Sequence, residues 1–131
     1  MDAYYDDVKQ NLIDVDLYDP KKDSRGVFLQ RINLNPHSII VAEWNGVVVG
    51  NVFIIMDNWT AFFFRLAVRK KVQKAGIGTQ LLEQAVQHLM HMGIKEVFIF
   101  VEQKNKKILN FFKKQKYTVT ENYSCLMKKL A

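Results

Sequence analysis

The chain holds a single cysteine, Cys125, in 131 residues. That excludes an internal disulfide framework and a zinc site built on thiolates, and it fits a reducing cytoplasm. The three histidines, His37, His88 and His91, have no acidic cluster around them, so no metal is expected. No apolar run reaches the roughly 20 residues that a membrane-spanning helix needs. The opening MDAYYDDVKQ is acidic and polar, without the basic-then-apolar order of an export signal. Prolines are scarce too. Pro20 and Pro36 both read as breaks between elements. There is no internal repeat, low-complexity tract or linker, so one domain over 1–131 is expected.

What is present is a substantial core composition, 49% hydrophobic and 12% aromatic, with a net charge of +6. The charge suits an anionic partner and leaves nucleic acid, a polyanionic cofactor and an acidic protein surface open. It is unevenly placed. Asp2, Asp6, Asp7, Asp14, Asp16, Asp19 and Asp23 outweigh Lys9, Lys21 and Lys22 at the start, and the basic residues gather later.

The pattern predicts a helix over about 4–13, a turn at 19–23, and a short helix over 24–33 that ends at Asn35 and Pro36. Two β-branched runs, 38–44 and 47–56, flank Asn45-Gly46, the signature of a two-residue type I′ hairpin. A third strand, AFFFRLAV, spans 61–68. From 78 to 92 the apolar period becomes helical, with Ile77, Leu81, Leu82, Ala85, Val86 and Leu89 on one face and Gly93 as the stop. EVFIFV (96–101) reads as a buried strand, Asn105 as the N-cap of an amphipathic helix, and 117–130 as one or two closing strands. The predicted fold is α/β of the α+β type, a mixed central sheet flanked by helices. Strands 61–68 and 96–101 are parallel because a helix crosses between them.

Between strand 61–68 and its helix lies QKAGIGT (73–79), preceded by Arg69, Lys70 and Lys71 and containing Lys74. A helix head carries unpaired N–H groups and partial positive charge, and glycine lets an anion reach the backbone. The expected ligand group is a phosphate or pyrophosphate. The stretch is neither a P-loop nor a dinucleotide fingerprint, since no GxxxxGK[ST] occurs and Leu81 stands where a third glycine would be. The lysines read equally as a solvated loop or as steering for the anion.

The spacing Val68, Gln73, Gly76, Gly78, after a strand and before an amphipathic helix, resembles the acetyl-CoA pyrophosphate loop of the GNAT N-acetyltransferases. VEQKNKKILNFFKKQKY adds Asn105, Ile108 and Phe112 at the family's spacing, with Lys116-Tyr117 in place of its Gly-Phe pair. The likeness covers about residues 25–120. It implies a strand pair that splays to admit the pantetheine arm, with Leu66, Ala67 and Val68 bonding it through their backbone. The Leu66 amide would serve the thioester oxygen. Gln73, Lys74, Ala75, Gly76, Ile77, Gly78 and Thr79 would hold the pyrophosphate, and Asn105 and Phe112 would line the cofactor's far side. Acetyl-CoA is the implied co-substrate, and a primary amine on a small molecule or peptide is the implied acceptor.

The chain departs from that pattern in several places. Phe62 and Phe100 stand where branches of the family carry a glutamate base, and Phe112 where a tyrosine acid is usual. Glu102, Asp57 and then Glu43 are the remaining carboxylate candidates, with Tyr117 and Tyr123 as fallback acids. The family's first strand is missing or very short before Tyr4. The sheet edge it would cover is open, capped by other chain, or paired in a homodimer. Two other readings stand beside the enzyme: a CoA-binding regulator of the same fold, motivated by the three phenylalanines, and a basic nucleic-acid-binding domain, which lacks any recognised motif.

Overall fold

The computed structural model describes residues 2–131. By internal contact these divide into two compact units, 1–100 and 101–131. The first unit carries α1 (Tyr5–Asp14), α2 (Arg25–Leu34), β1 (Ile39–Trp44), β2 (Val47–Met56), β3 (Thr60–Val68), α3 (Ile77–His91) and β4 (Glu96–Ile99). Among the described residues no strand precedes α1. Asp2–Tyr4 form a single 3-10 turn, and Met1 lies outside the described residues.

The four strands stand in the order β1-β2-β3-β4, antiparallel except for the parallel β3–β4 pair. That is the mixed α+β sheet expected from the helical crossover. The β1–β2 hairpin turns on Asn45 (φ 52°) and Gly46 (φ 79°), as a type I′ turn requires. Ser24 caps α2 by accepting from the Val27 amide at 3.2 Å. Gly93 (φ 84°) closes α3 with the paired bonds of a Schellman end: Ile94 N–H to the Leu89 carbonyl, and Gly93 N–H to that of Met90.

β2 is the central plank, buried along most of its length. One face meets α1 and α2 through Tyr5, Val8, Leu12, Phe28, Val48 and Phe53. The other meets α3, whose Leu81, Leu82, Ala85 and Leu89 are buried. Gly50 faces that helix, and a Cβ there would lie 3.3 Å from Ile77 Cγ2 and 3.4 Å from the Ala67 carbonyl oxygen. Its bareness lets the head of α3 sit tight on the sheet. His37 and His88 join the approach to β1 to α3, their Nδ1 and Nε2 atoms 3.0 Å apart.

The second unit contains α4 (Lys106–Lys114), started by Asn105, whose side chain accepts from the Ile108 amide at 3.2 Å. The closing strands expected over 117–130 do not form. No ladder is made there among the described residues. The reason is physical. A β-prone composition becomes a strand only when a neighbouring strand completes its hydrogen bonds. Strand 96–101 is also shorter than its composition suggests, since pairing stops at Ile99.

Candidate functional site

β4 pairs with β3 only from Thr60 to Phe63. β3 continues to Val68, so Phe64–Val68 have no strand neighbour on that side among the described residues. Strand alternation decides which peptides face the gap. The Arg69 N–H is turned to β2, bonding the Val49 carbonyl at 2.7 Å. The Ala67 peptide groups therefore face β2 as well, and those of Leu66 and Val68 face outward. The outward Val68 carbonyl accepts from Gln73 Nε2 at 3.0 Å. This bond gives the five-residue Val–Gln spacing a local purpose, for Gln73 folds the following loop back onto the strand end.

The open stretch begins at a bulge. Phe53 pairs with Phe64 and Asn51 with Ala67, so β3 carries one residue more than β2 across this interval. Arg65 adopts φ 54°, a left-handed conformation unusual for a non-glycine residue in a strand. It is held from two directions. Its guanidinium bonds both carboxylate oxygens of Asp23 at 3.1 Å, and Asp23 is buried. Its carbonyl accepts from Asn51 Nδ2 at 2.9 Å.

A buried polar chain runs on from there. Asn11 Nδ2 donates to Asn51 Oδ1 and to the Val48 carbonyl, both at 3.1 Å. Asn11 Oδ1 accepts from Arg69 Nε at 2.9 Å, and Arg69 also donates to the Asp7 carbonyl at 3.0 Å. Both asparagines are fully buried. Sequence reasoning missed this network. Asn11 lies in a helical run and Asn51 in a strand, and nothing local signals that they meet.

The loop after β3 is fixed by main-chain bonds. The Lys70 N–H donates to Asp14 Oδ2 at 2.9 Å. That bond, more than the neighbouring cations, holds the Asp14 carboxyl below its usual range. Lys74 (φ 72°) and Gly76 (φ 81°) then turn left-handed. Gly76 is the N-cap of α3 and supplies no side-chain cap. The first intrahelical bond runs from the Gln80 N–H to the Gly76 carbonyl at 3.1 Å, so the amides of Ile77 and Gly78 stand outside the helical ladder. A Cβ on Gly76 would meet nothing within 4 Å. The helix head therefore opens onto free space with exposed Lys70, Lys71 and Lys74 before it. Thr79 stands in the same first turn.

The structure thus places Leu66, Val68, Gln73, Lys74, Ala75, Gly76, Ile77, Gly78 and Thr79 along one continuous strip of strand edge, loop and helix head, whereas Ala67, expected to bond the cofactor through its backbone, is buried and turns its peptide groups to β2. At the other end of the gap, Phe62 stacks on Phe98 (centroids 5.7 Å, 29°) and on Phe100 (5.7 Å, 18°). Asp57 is not at this strip. It caps the β2–β3 turn, accepting from the Trp59 and Thr60 amides at 2.7 and 2.8 Å, which depresses its pKa. Six residues of strand, about 20 Å, separate Thr60 from Leu66. Glu43 is exposed on β1, two strands away from β3.

In the second unit, the Glu102 side chain is exposed and its carbonyl accepts from the Asn105 N–H at 2.9 Å. Phe112 is buried between Phe111 (5.3 Å) and Tyr117 (5.5 Å). The Tyr117 hydroxyl is buried without a hydrogen-bond partner, and burial pushes its pKa up. Tyr123 is exposed.

A sequence profile of the Acetyltransferase (GNAT) family matches residues 3–117. The chain is 24% identical over 106 residues to an acetyltransferase of Pectobacterium atrosepticum, which covers 81% of this chain and 75% of that relative. Among solved structures, Ard1 from Thermoplasma volcanium superposes with a TM-score of 0.81 at 19% identity, across 95% of this chain and 85% of that one. The PaiA N-acetyltransferase from Thermoplasma acidophilum, solved in complex with coenzyme A, superposes with a TM-score of 0.75 at 19% identity, across 91% and 84%.

Proposed function

The chain belongs to the acetyltransferase (GNAT) family and is an N-acetyltransferase, and we propose that it passes the acetyl group of acetyl-CoA directly to a primary amine of a small molecule or a peptide. The observation that carries the reading is the strand edge at Leu66 and the Val68 amide, which leads into a helix head whose capping residue is a bare glycine, the Val68 carbonyl being taken by Gln73. A pyrophosphate suits the head of α3, where amides and lysines supply positive potential without a side chain in the way. An extended pantetheine arm suits the unpaired edge of β3, bonding as an added strand would.

In this reading the Leu66 amide donates to the thioester oxygen and stabilises the charge that gathers there on attack. The amine nitrogen forms a bond to the acetyl carbon while the C–S bond breaks, and the thiolate leaves with the electron pair. No enzyme nucleophile is needed, so Cys125, exposed in the second unit, has no part. Glu102 and Asp57 are the carboxylates proposed to take the amine proton. Asp57 is the poorer of the two, because it lies at the far end of β3 and one of its oxygens already caps the turn. Asn105 and Phe112 are also proposed as cofactor-binding residues.

The test is calorimetry with CoA, followed by thiol release from acetyl-CoA across a panel of amines. Micromolar binding with thiol released by at least one amine is expected. Absence of binding by folded protein at millimolar CoA would overturn the reading. Binding without release across the panel would turn it toward a CoA-binding regulator.

A further inference from the structure

The sheet face beside the open edge has an unusual chemistry for a place where an amine must lose a proton. Strand alternation sends Phe53 and Ile55 of β2, Phe62 and Phe64 of β3 and Phe98 of β4 to the same side. Phe100 extends this row just past the last β3–β4 pair, at the apex of the gap. None of these positions is a carboxylate. The nearby charges are arranged against a cation. Arg31 of α2 stands 5.0 Å from the Phe64 ring and 5.5 Å from the Phe53 ring. Asp23 is closed off by the Arg65 guanidinium. Glu96, at the start of β4, takes the Thr60 hydroxyl at 2.7 Å.

The aromatic row is also unfinished. Phe62 is stacked from two sides, whereas Phe100 is 68% exposed and Ile55 is 55% exposed. The outer ring of Phe100 leaves a flat, near-parallel surface of the kind on which another ring stacks. An alkyl amine with a lysine-like pKa near ~10.4 is neutral in only about one molecule in 2,500 at pH 7. A wall of phenylalanines beside an arginine disfavours the ammonium form, so an alkyl amine must give up its proton to be seated there and binds more weakly by that cost. An aromatic amine of low basicity carries no such penalty, since it arrives neutral.

Resting on the acetyl-transfer reading above, we infer that the acceptor is a weakly basic aromatic amine that stacks on Phe100 and presents an already neutral nitrogen at the Leu66 end of the gap. The balance is simple. Free amine and thioester give amide and thiol: the N–C bond forms as the C–S bond breaks, the proton lost by nitrogen ends on the departing sulfur by way of water, and nothing is oxidised or reduced.

The experiment compares three probes with the full chain and saturating acetyl-CoA, read by thiol release: 4-methoxyaniline, benzylamine and n-hexylamine. The arylamine is expected to exceed benzylamine in kcat/KM at pH 7 by roughly tenfold or more, with n-hexylamine lowest. The arylamine rate should stay flat from pH 6.5 to 8.5, while the alkyl amines gain with pH as their neutral fraction grows. Phe100→Ala should raise KM for the arylamine about tenfold and leave CoA binding unchanged, with Phe100→Tyr restoring it. If CoA binds but n-hexylamine matches the arylamine, or Phe100→Ala changes nothing, the inference is overturned and the acetyl-transfer reading stands; if no probe releases thiol, the inference is overturned and the wider amine panel decides the acetyl-transfer reading. Loss of CoA binding itself would remove both.

Discussion

The two ends of the gap beside β3 are built by opposite means. At the end proposed for the phosphates the protein offers main chain: Leu66 and Val68 peptides turned outward, left-handed turns at Lys74 and Gly76, and helix amides ahead of the first intrahelical bond. At the end proposed for the acceptor it offers side chains gathered from separate strands and the chain just past β4, with Phe62, Phe98 and Phe100 in one stack. Backbone recognition depends on a short contiguous stretch and on what is left out of it. Side-chain recognition depends on register, on where two strands part, and on which helix overhangs the face. The first kind serves a ligand whose shape is fixed. The second can be rewritten residue by residue without disturbing the first, and the replacement of expected glutamates by phenylalanines at 62 and 100 leaves the strip from Leu66 to Thr79 whole.

The comparison breaks most forcefully at Gly76. If the phosphate end is a backbone site, Gly76→Asp strikes it twice. An L-residue at φ 81° costs about 1–2 kcal/mol, and a carboxylate placed before the helix head repels the pyrophosphate. CoA affinity is expected to fall by about a thousandfold in calorimetry, with circular dichroism unchanged. Retained affinity would mean the phosphates are held elsewhere. The space around that position is open, so a clash with the protein itself would not explain the loss.

Next in size is the link between the ends. Asn51→Leu leaves the Arg65 carbonyl and one Asn11 N–H without partners inside the protein. At about 1–3 kcal/mol for each buried orphan, the total loss of stability should be about 3 kcal/mol by denaturant unfolding. Asn51→Asp keeps the acceptor and loses the donor, and it separates the two contributions. This is where the sequence was least readable. The hairpin, α3, its glycine stop and the Asn105 cap follow from local rules, because each is decided within a few residues. Arg65 in a left-handed bulge and the Asn11–Asn51 pair are decided by chain segments 40 residues apart. The early end of β3–β4 pairing is also non-local, as EVFIFV is β-prone throughout but only its first four residues find a neighbour. Residues 117–130 failed as strands for the same reason. The candidate site divides along this line: the loop and helix head proposed for the phosphates are local features, and the face proposed for the acceptor is assembled from separate strands.

A smaller effect sharpens the claim that the head of α3 must sit close to the sheet. Gly50→Val places methyls where even a Cβ would stand 3.3 Å from Ile77 and 3.6 Å from Ala42 Cβ. The helix head must then shift outward. KM for acetyl-CoA is expected to rise about tenfold, equivalent to roughly 1.4 kcal/mol, with kcat for the acceptor nearly unchanged. A fall in kcat at constant KM would show that the two ends are not separable.

The finest contrast lies between two helix ends of the same design. α3 ends at Gly93 (φ 84°) and α4 at Lys116 (φ 71°). At Lys116 the Schellman bonds recur, with Tyr117 N–H to the Phe112 carbonyl and Lys116 N–H to that of Lys113, both at 3.1 Å. The geometry is the one glycine favours, yet a lysine occupies it, in the place where the family usually has the glycine of its Gly-Phe pair. A left-handed L-residue costs about 1–2 kcal/mol, while a new glycine loosens the unfolded chain by about 0.5–1 kcal/mol. Lys116→Gly should therefore stabilise the protein by about 0.5–1 kcal/mol, a rise in Tm of about 2–4 °C. The reverse change, Gly93→Lys, should lower Tm by a similar amount. An unchanged or lower Tm for Lys116→Gly would mean that the lysine side chain contributes more at this end than its backbone strain removes, so that even a main-chain turn in this protein is governed by a side chain.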